Sequence, residues 1–260
     1  MKIGFFDSGI GGLSVMHLAL KYLPKEEFIF YADEEHVPYG EKTVEQIKEY
    51  LDTAIEFMIG QDVKAVVVAC NTATSAAIDE MRDKYTIPII GMEPAVKKAL
   101  DEFPDQKVLV VATPVTVQGK KLHGLIERVD QQHMVDLVAL PELVHYAENG
   151  DFESDNIIEL LKERFEAFDL EEYSSIVLGC THFNYFKDTF RKVLPSHVKF
   201  VDGNEGTVMR LVEELKNIGK FEKNIQKIHY FYSGKKITEG NEFNRIQEYL
   251  RRLDRMLDIV

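Results

Sequence analysis

The chain has 260 residues, 45% of them hydrophobic and 29% charged, and a formal net charge of −13. That is the composition of a soluble globular protein with a core of its own. The acidic balance excludes nucleic acid as the main partner, because holding phosphates takes clustered Lys and Arg, but it leaves an anionic small substrate open.

Met1-Lys2-Ile3 leads straight into a strand-like run, with no apolar h-region or cleavage site, so no signal peptide is expected. No apolar stretch approaches the roughly 18 residues of a membrane span, so no membrane partner is expected. The only two cysteines, Cys70 and Cys180, fit a reducing cytoplasm better than a disulfide scaffold.

In chain order, strands are predicted at Ile3–Phe6, Phe28–Ala32, Val66–Ala69 and Ile87–Ile90, then at Val108–Val111, Val135–Leu140, Ile176–Leu178 and Val198–Val201. Helical periodicity predicts Leu13–Tyr22, Thr43–Met58, Ala73–Lys84, Ala95–Glu102, Asn156–Phe168, Phe186–Leu194, Gly206–Asn217 and Phe243–Leu257. Such alternation implies parallel sheets with crossover helices.

The first four strand starts recur in the second four, displaced by 105 to 111 residues. This predicts an α/β protein of two similar doubly wound parallel-sheet domains related by internal duplication, with a ligand cleft between them. The predicted division is 1–95 plus 207–260 for the first domain and 96–206 for the second. The stretch from Glu205 to Val260 has no counterpart and is expected to return over the first domain.

The duplication makes Cys70 and Cys180 counterparts. Each follows an apolar run, Val66-Val67-Val68-Ala69 or Ile176-Val177-Leu178-Gly179, and each falls just past a strand's C-terminal end, where open α/β sheets bind ligands. Buried structural cysteine is common. Two thiols at equivalent strand ends favour use as a pair, facing one ligand from opposite sides. His182, two residues beyond Cys180, can activate that thiol.

Other strand ends carry polar groups. The first runs into Asp7-Ser8-Gly9-Ile10-Gly11-Gly12, which either approaches an anion closely or caps the next helix. Its glycines do not match the dinucleotide spacing, and no Gly-x-x-x-x-Gly-Lys-[Ser/Thr] occurs, so no nucleotide is implied. Asp33 and then Pro38-Tyr39-Gly40 follow the second strand. Asn71, Thr72 and Thr74 follow Cys70 and can cap a helix or bind a carboxylate or ammonium. Thr113 and Thr116 follow the fifth strand. A zinc site from Cys70, Cys180 and His182 is not expected, because the close cysteine pairs of structural zinc sites are missing.

Five stretches resemble bacterial glutamate racemase, of the aspartate/glutamate racemase family. They are Phe6-Asp7-Ser8-Gly9-Ile10-Gly11-Gly12-Leu13-Ser14-Val15, Val37-Pro38-Tyr39-Gly40, Ala69-Cys70-Asn71-Thr72-Ala73-Thr74, Gly91-Met92-Glu93-Pro94-Ala95 and Leu178-Gly179-Cys180-Thr181-His182-Phe183. They lie in the family's order from residue 1 to about 206. The resemblance implies a cofactor-independent, cytoplasmic homodimer that interconverts L- and D-glutamate and supplies the D-isomer to peptidoglycan. It implies that Cys70 acts on D-glutamate and Cys180 on L-glutamate. Asp7 would assist Cys70, His182 would assist Cys180, and Glu148 would support that side, with Glu142 a near alternative. Ser8, Asp33, Tyr39, Gly40, Asn71, Thr72, Thr116 and Thr181 would bind substrate.

Three departures stand out. Glu34 follows Asp33 where the family usually has Thr, Gln118-Gly119-Lys120-Lys121 stands where a Ser is frequent, and Asn184 stands where Pro is common. They bear on substrate preference and regulation more than on reaction type. The alternatives are a racemase for aspartate or another amino acid, and a catalytically idle amino-acid-binding paralogue.

Overall fold

The computed structural model describes residues 1–92, 95–221 and 225–259, so Glu93 and Pro94 of the Gly91-to-Ala95 motif lie outside the described residues. The strands are β1 (Lys2–Asp7), β2 (Glu27–Ala32), β3 (Val63–Val68), β4 (Ile89–Gly91), β5 (Lys107–Ala112), β6 (Val135–Ala139), β7 (Tyr173–Leu178), β8 (Lys199–Val201), β9 (Lys227–Tyr232) and β10 (Lys235–Ile237). They form two sheets, ordered β10-β9-β2-β1-β3-β4 and β6-β5-β7-β8. Among the described strands, β10 alone runs antiparallel to its neighbour. Strands β3 and β7 are buried along their whole length, as inner strands of sheets covered on both faces must be.

The order β2-β1-β3-β4 recurs as β6-β5-β7-β8. The register repeats too. Between β1 and β3 the pairing steps from Lys2↔Val63 to Ile3↔Ala65, and between β5 and β7 from Lys107↔Tyr173 to Val108↔Ser175. Each slip skips one residue, Lys64 or Ser174, at the same place in the register. Lys64 turns its ammonium to Glu26 (2.6 Å) and the Lys220 carbonyl (2.6 Å), a buried charge held by an opposite charge. Ser174 donates to the Lys107 carbonyl at 3.2 Å. The duplication read from strand spacing is thus present down to an irregularity.

The facing sides of the two halves share one apolar cluster, in which Ile10 and Leu13 meet Phe183, Tyr185, Phe186 and Leu253. The C-terminal segment enters the first sheet: β9 pairs in parallel with β2. The helix Gly240–Met256 then lies against both the helix Leu13–Tyr22 and the Thr181–Phe186 turn. Its Arg252 is buried and bonds the Tyr185 carbonyl (2.8 Å), Glu153 (2.8 Å) and Asp188 (2.7 Å). These bonds tie the last helix to the second half.

Several local expectations change. In place of one helix over Phe186–Leu194 there is a 3-10 turn at Thr181–Phe186 and a short helix at Lys187–Phe190. The Asn184 side chain donates to the Thr181 carbonyl at 3.2 Å, a local bond that competes with a regular helix. Helices also stand at Pro114–Val117, Lys120–Val129 and Glu142–Glu148, where none is predicted. Among the described residues, no helix is long and apolar enough to cross a membrane.

Candidate active site

Both cysteines fall two residues beyond a central strand, Cys70 after β3 and Cys180 after β7. Both are buried, unbridged and on the wall of one small cavity between the halves. Ser8, Pro38, Tyr39, Gly40, Asn71, Thr72, Thr113, Val144, Thr181 and His182 complete the wall. The cavity measures about 10 Å³, room for about one water. A ligand larger than a water needs this wall to open.

Cys70 occupies the N-cap of the helix Asn71–Lys84, and its Sγ accepts the Ala73 N–H at 3.4 Å. The sulfur therefore takes the capping role expected of Asn71, Thr72 or Thr74. The Ser8 hydroxyl is 3.8 Å from Cys70 Sγ. Behind it lies Asp7, fully buried, accepting from the Gly9 N–H (3.0 Å) and from the Thr181 hydroxyl (3.0 Å). Asp7 is thus bonded to a residue of the opposite half. Neither Asp7 nor Ser8 caps the following helix.

Cys180 has a different companion. Its Sγ is 3.7 Å from His182 Nδ1, and His182 Nε2 is 2.7 Å from Glu148 Oε1. The same Oε1 accepts the Ile10 N–H at 2.9 Å. Glu148, not Glu142, therefore backs His182, while Glu142 pairs with Arg164 at the surface. The glycines of the first loop make this approach possible. A Cβ on Gly9 would sit 1.9 Å from Glu148 Oε1, and one on Gly11 would sit 2.4 Å from Thr181 Oγ1 and 2.5 Å from His182 Nδ1.

The expected substrate-binding residues divide. Ser8, Tyr39, Gly40, Asn71, Thr72 and Thr181 line the cavity, whereas Asp33 and Thr116 do not. Asp33 lies one layer back, accepting from Tyr39 OH (2.7 Å) and Ser233 Oγ (2.9 Å). Thr116 backs Thr72 (3.5 Å) and Thr113 (3.1 Å), and it is Thr113 that reaches the wall, 2.8 Å from Thr72. Asn71 Oδ1 is buried with no hydrogen-bond partner among the described residues, so it is open to a ligand donor.

The electrostatics of the Cys70 side and of the His182–Glu148 pair differ. Burial pushes the Cys70 thiol up to about 12, and the neighbouring Asp7 charge adds to the effect. Burial likewise raises Asp7 to about 6 despite the His182 charge and the bonds from Gly9 and Thr181. For His182, burial works against the cation, but the bonds to Cys180 and Glu148 and their charges prevail, so it lies well above the ordinary imidazole value. Burial opposes ionisation of Glu148 also, yet His182, the Ile10 N–H and Arg245 hold its carboxyl below the usual range.

A two-domain α/β fold with one thiol from each half at the shared cleft is the arrangement of cofactor-independent racemases. The family model described as Asp/Glu/Hydantoin racemase matches residues 15–211. A glutamate racemase of Campylobacter curvus is 53% identical over 265 residues, covering 100% of both chains. One from Lachnospira eligens is 48% identical, again covering 100% of both. Escherichia coli glutamate racemase, solved in complex with L-glutamate and the activator UDP-MurNAc-Ala, superposes with a TM-score of 0.81 at 27% identity, covering 97% of this chain and 95% of that one. The chain belongs to the Asp/Glu/Hydantoin racemase family.

Proposed function

We propose a residue-level mechanism for the interconversion of L- and D-glutamate by this chain. The Cys180 thiolate, beside the His182 imidazolium, takes the α-proton of L-glutamate. The Cys70 thiol gives a proton to the opposite face of the resulting carbanion. D-glutamate leaves, with Cys180 now the thiol and Cys70 the thiolate, and the reverse reaction starts from that state. One proton is lost and one gained at Cα, so no cofactor enters the balance.

The carbanion has no delocalising ring attached, so the site must stabilise it by preorganised donors and by excluding water. Ser8, Asn71, Thr72 and Thr113 bring hydroxyl and amide donors to the wall, while the Thr181 hydroxyl is bonded to Asp7. Asp7 assists the Cys70 side, and the His182–Glu148 pair assists the Cys180 side. Asp33 and Thr116 act by orienting Tyr39, Thr72 and Thr113. The observation that carries this reading is one small cavity between the halves with a thiol from each on its wall.

The same reading makes the enzyme a cytoplasmic homodimer whose product enters peptidoglycan, with 1–95 plus 207–260 and 96–206 as its two folding units. Family resemblance supports the dimer, and the two sheets support the division. Light scattering on the 29.9 kDa chain tests the assembly.

The deciding experiment follows the circular dichroism of L- and then D-glutamate with the pure protein and no added cofactor. Both enantiomers should decay to the racemate. Cys70→Ser and Cys180→Ser should each slow the decay by roughly 10²–10⁴-fold, the scale of a lost acid or base. If either variant keeps wild-type rates, the two-thiol assignment is wrong. If aspartate racemises and glutamate does not, the chemistry stands and the substrate differs.

A further inference from the structure

The Glu148 carboxylate is fixed from two directions. On the cavity side its Oε1 receives Ile10 N–H and faces His182 Nε2. On the far side Arg245, from the C-terminal helix, places Nη2 2.9 Å from Glu148 Oε2 and 2.6 Å from the Glu148 carbonyl. One guanidinium thus grips both the side chain and the backbone of the same residue. Tyr249, one turn further along that helix, donates to the Ala147 carbonyl at 2.8 Å and accepts from Arg245 Nε at 3.2 Å. These bonds also satisfy carbonyls at the end of the helix Glu142–Glu148.

A second carboxylate completes the cluster. Glu34 Oε2 lies 3.6 Å from Arg245 Nη1, and its Oε1 is buried with no hydrogen-bond partner among the described residues. The Tyr232 hydroxyl, from the end of β9, is buried in the same condition. Burial and the Glu148 charge raise Glu34 to about 7, with Arg245 and His182 opposing. Glu34 and Arg245 come from parts of the chain 211 residues apart, and they meet only because the last helix crosses both halves.

We propose that Arg245, with Glu34 as its second anchor, is a positioning residue for the Cys180 half of the reaction. It holds Glu148 where that carboxylate can orient and charge His182. Arg245 is absent from the cavity wall, so it acts through Glu148 and not on the substrate. Without the fork, Oε2 loses its cation, and Oε1 is free to turn away from Ile10 and His182. His182 then loses the partner that fixes its ring and keeps its cation beside Cys180. Among the described residues Cys70 and Asp7 make no bond to Arg245 or Glu148, and they meet this chain of bonds through the loop that carries Asp7 and Ile10. The proposal rests on the two-thiol mechanism above.

The test uses Arg245→Gln and Arg245→Lys in the full chain, with L- and D-glutamate unlabelled and α-deuterated. Arg245→Gln should lower kcat by about 10–100-fold, the scale of a lost orienting partner, and leave KM nearly unchanged. Proton transfer at Cys180 then becomes the slow step in both directions. The isotope effect should rise with α-deuterated L-glutamate, whose label Cys180 removes, and fall towards one with the D-isomer, whose label Cys70 removes. Arg245→Lys keeps the charge but cannot fork, so it should show the same asymmetry at smaller size. If Arg245→Gln does not fold, the Lys variant carries the comparison. Equal changes in the two isotope effects, or a rise in KM alone, would mean a merely structural role and overturn the proposal. A wild-type protein inert towards glutamate would sink the mechanism beneath it instead.

Discussion

The two halves share a frame and differ in chemistry. Asp7 ends β1 opposite Ala32, and Ala112 ends β5 opposite Ala139, so the buried acid of one half stands where the other has a methyl group. Ser8 and Thr113 follow these residues, and both hydroxyls reach the cavity wall. Counting on from the two thiols, His182 corresponds to Thr72. Cys70 is a helix N-cap beside a buried acid, whereas Cys180 begins a 3-10 turn beside a buried imidazole. The duplication supplied two thiol positions on the wall of one cavity. In the mechanism proposed above, the divergence gives each its own means of changing charge, which a reaction that runs equally both ways requires.

The sharpest way to break this asymmetry is to remove the imidazole. His182→Asn keeps a polar side chain but no titratable ring. The rate should fall by roughly 10²–10⁴-fold, the usual contribution of a positioned acid or base. Because enantiomers are equal in free energy, kcat/KM must fall by the same factor for L- and D-glutamate. Polarimetry from both sides checks this, and unequal losses would mean that the assay reports something other than racemisation.

Asp7 offers a test on stability. Its carboxyl rises from 3.8 to about 6 because ionisation is costly in a fully buried site. At about 1.4 kcal/mol per pH unit, that is a penalty on the order of 3 kcal/mol. The folded pKa lies above the unfolded one, so the penalty is absent below pH 3.8, grows through the interval and is complete above about 6. Asp7→Asn never ionises. Its stability relative to wild type should therefore improve as pH rises from 4 to 7, whatever constant offset the lost bonds to Gly9 and Thr181 introduce. Denaturant midpoints of both proteins across that range check the slope, and a flat difference would show that Asp7 is not a strained acid.

Much of this contrast is legible in the sequence because buried parallel strands write themselves as apolar runs. Eight strands, the repeat and both thiol positions follow from that. Strand β9 escapes because Lys-Ile-His-Tyr-Phe-Tyr starts exposed and becomes buried only at its end. The helix Glu142–Glu148 is seven residues long, too short for periodicity to separate it from a loop. Gly124 interrupts the pattern of Lys120–Val129. At the site, the cavity wall is mostly legible from strand ends, and family resemblance supplies Glu148. Thr113 shows in the sequence only as a hydroxyl near Thr116, which the resemblance implies as a substrate contact. Arg245 leaves no trace at all. It is one of several charged residues on an amphipathic helix, and only the tertiary fold brings it to Glu148.

The smallest effects come from two glycines that differ in surroundings. Counting on from Asp7 and Ala112, Gly11 falls on Thr116, so the second half tolerates a full side chain where the first has none. The reason is the opposing half: Gly11 faces Thr181 and His182, and the His182 backbone N would lie 2.8 Å from an added Cβ. Gly11→Ala must push the halves apart, at about 1–3 kcal/mol for an overpacked contact, and racemisation should slow with it because His182 moves. Gly206, in the helix Asn204–Asn217, has nothing within 4 Å of such a Cβ. There the same substitution only removes backbone freedom from the unfolded chain, so Gly206→Ala should stabilise by up to about 0.5–1 kcal/mol and leave the rate alone. Opposite signs in thermal melts of the two variants would locate the requirement for glycine at the junction of the halves. A stable, fully active Gly11→Ala would mean that the loop need not approach the Cys180 side as closely as it does.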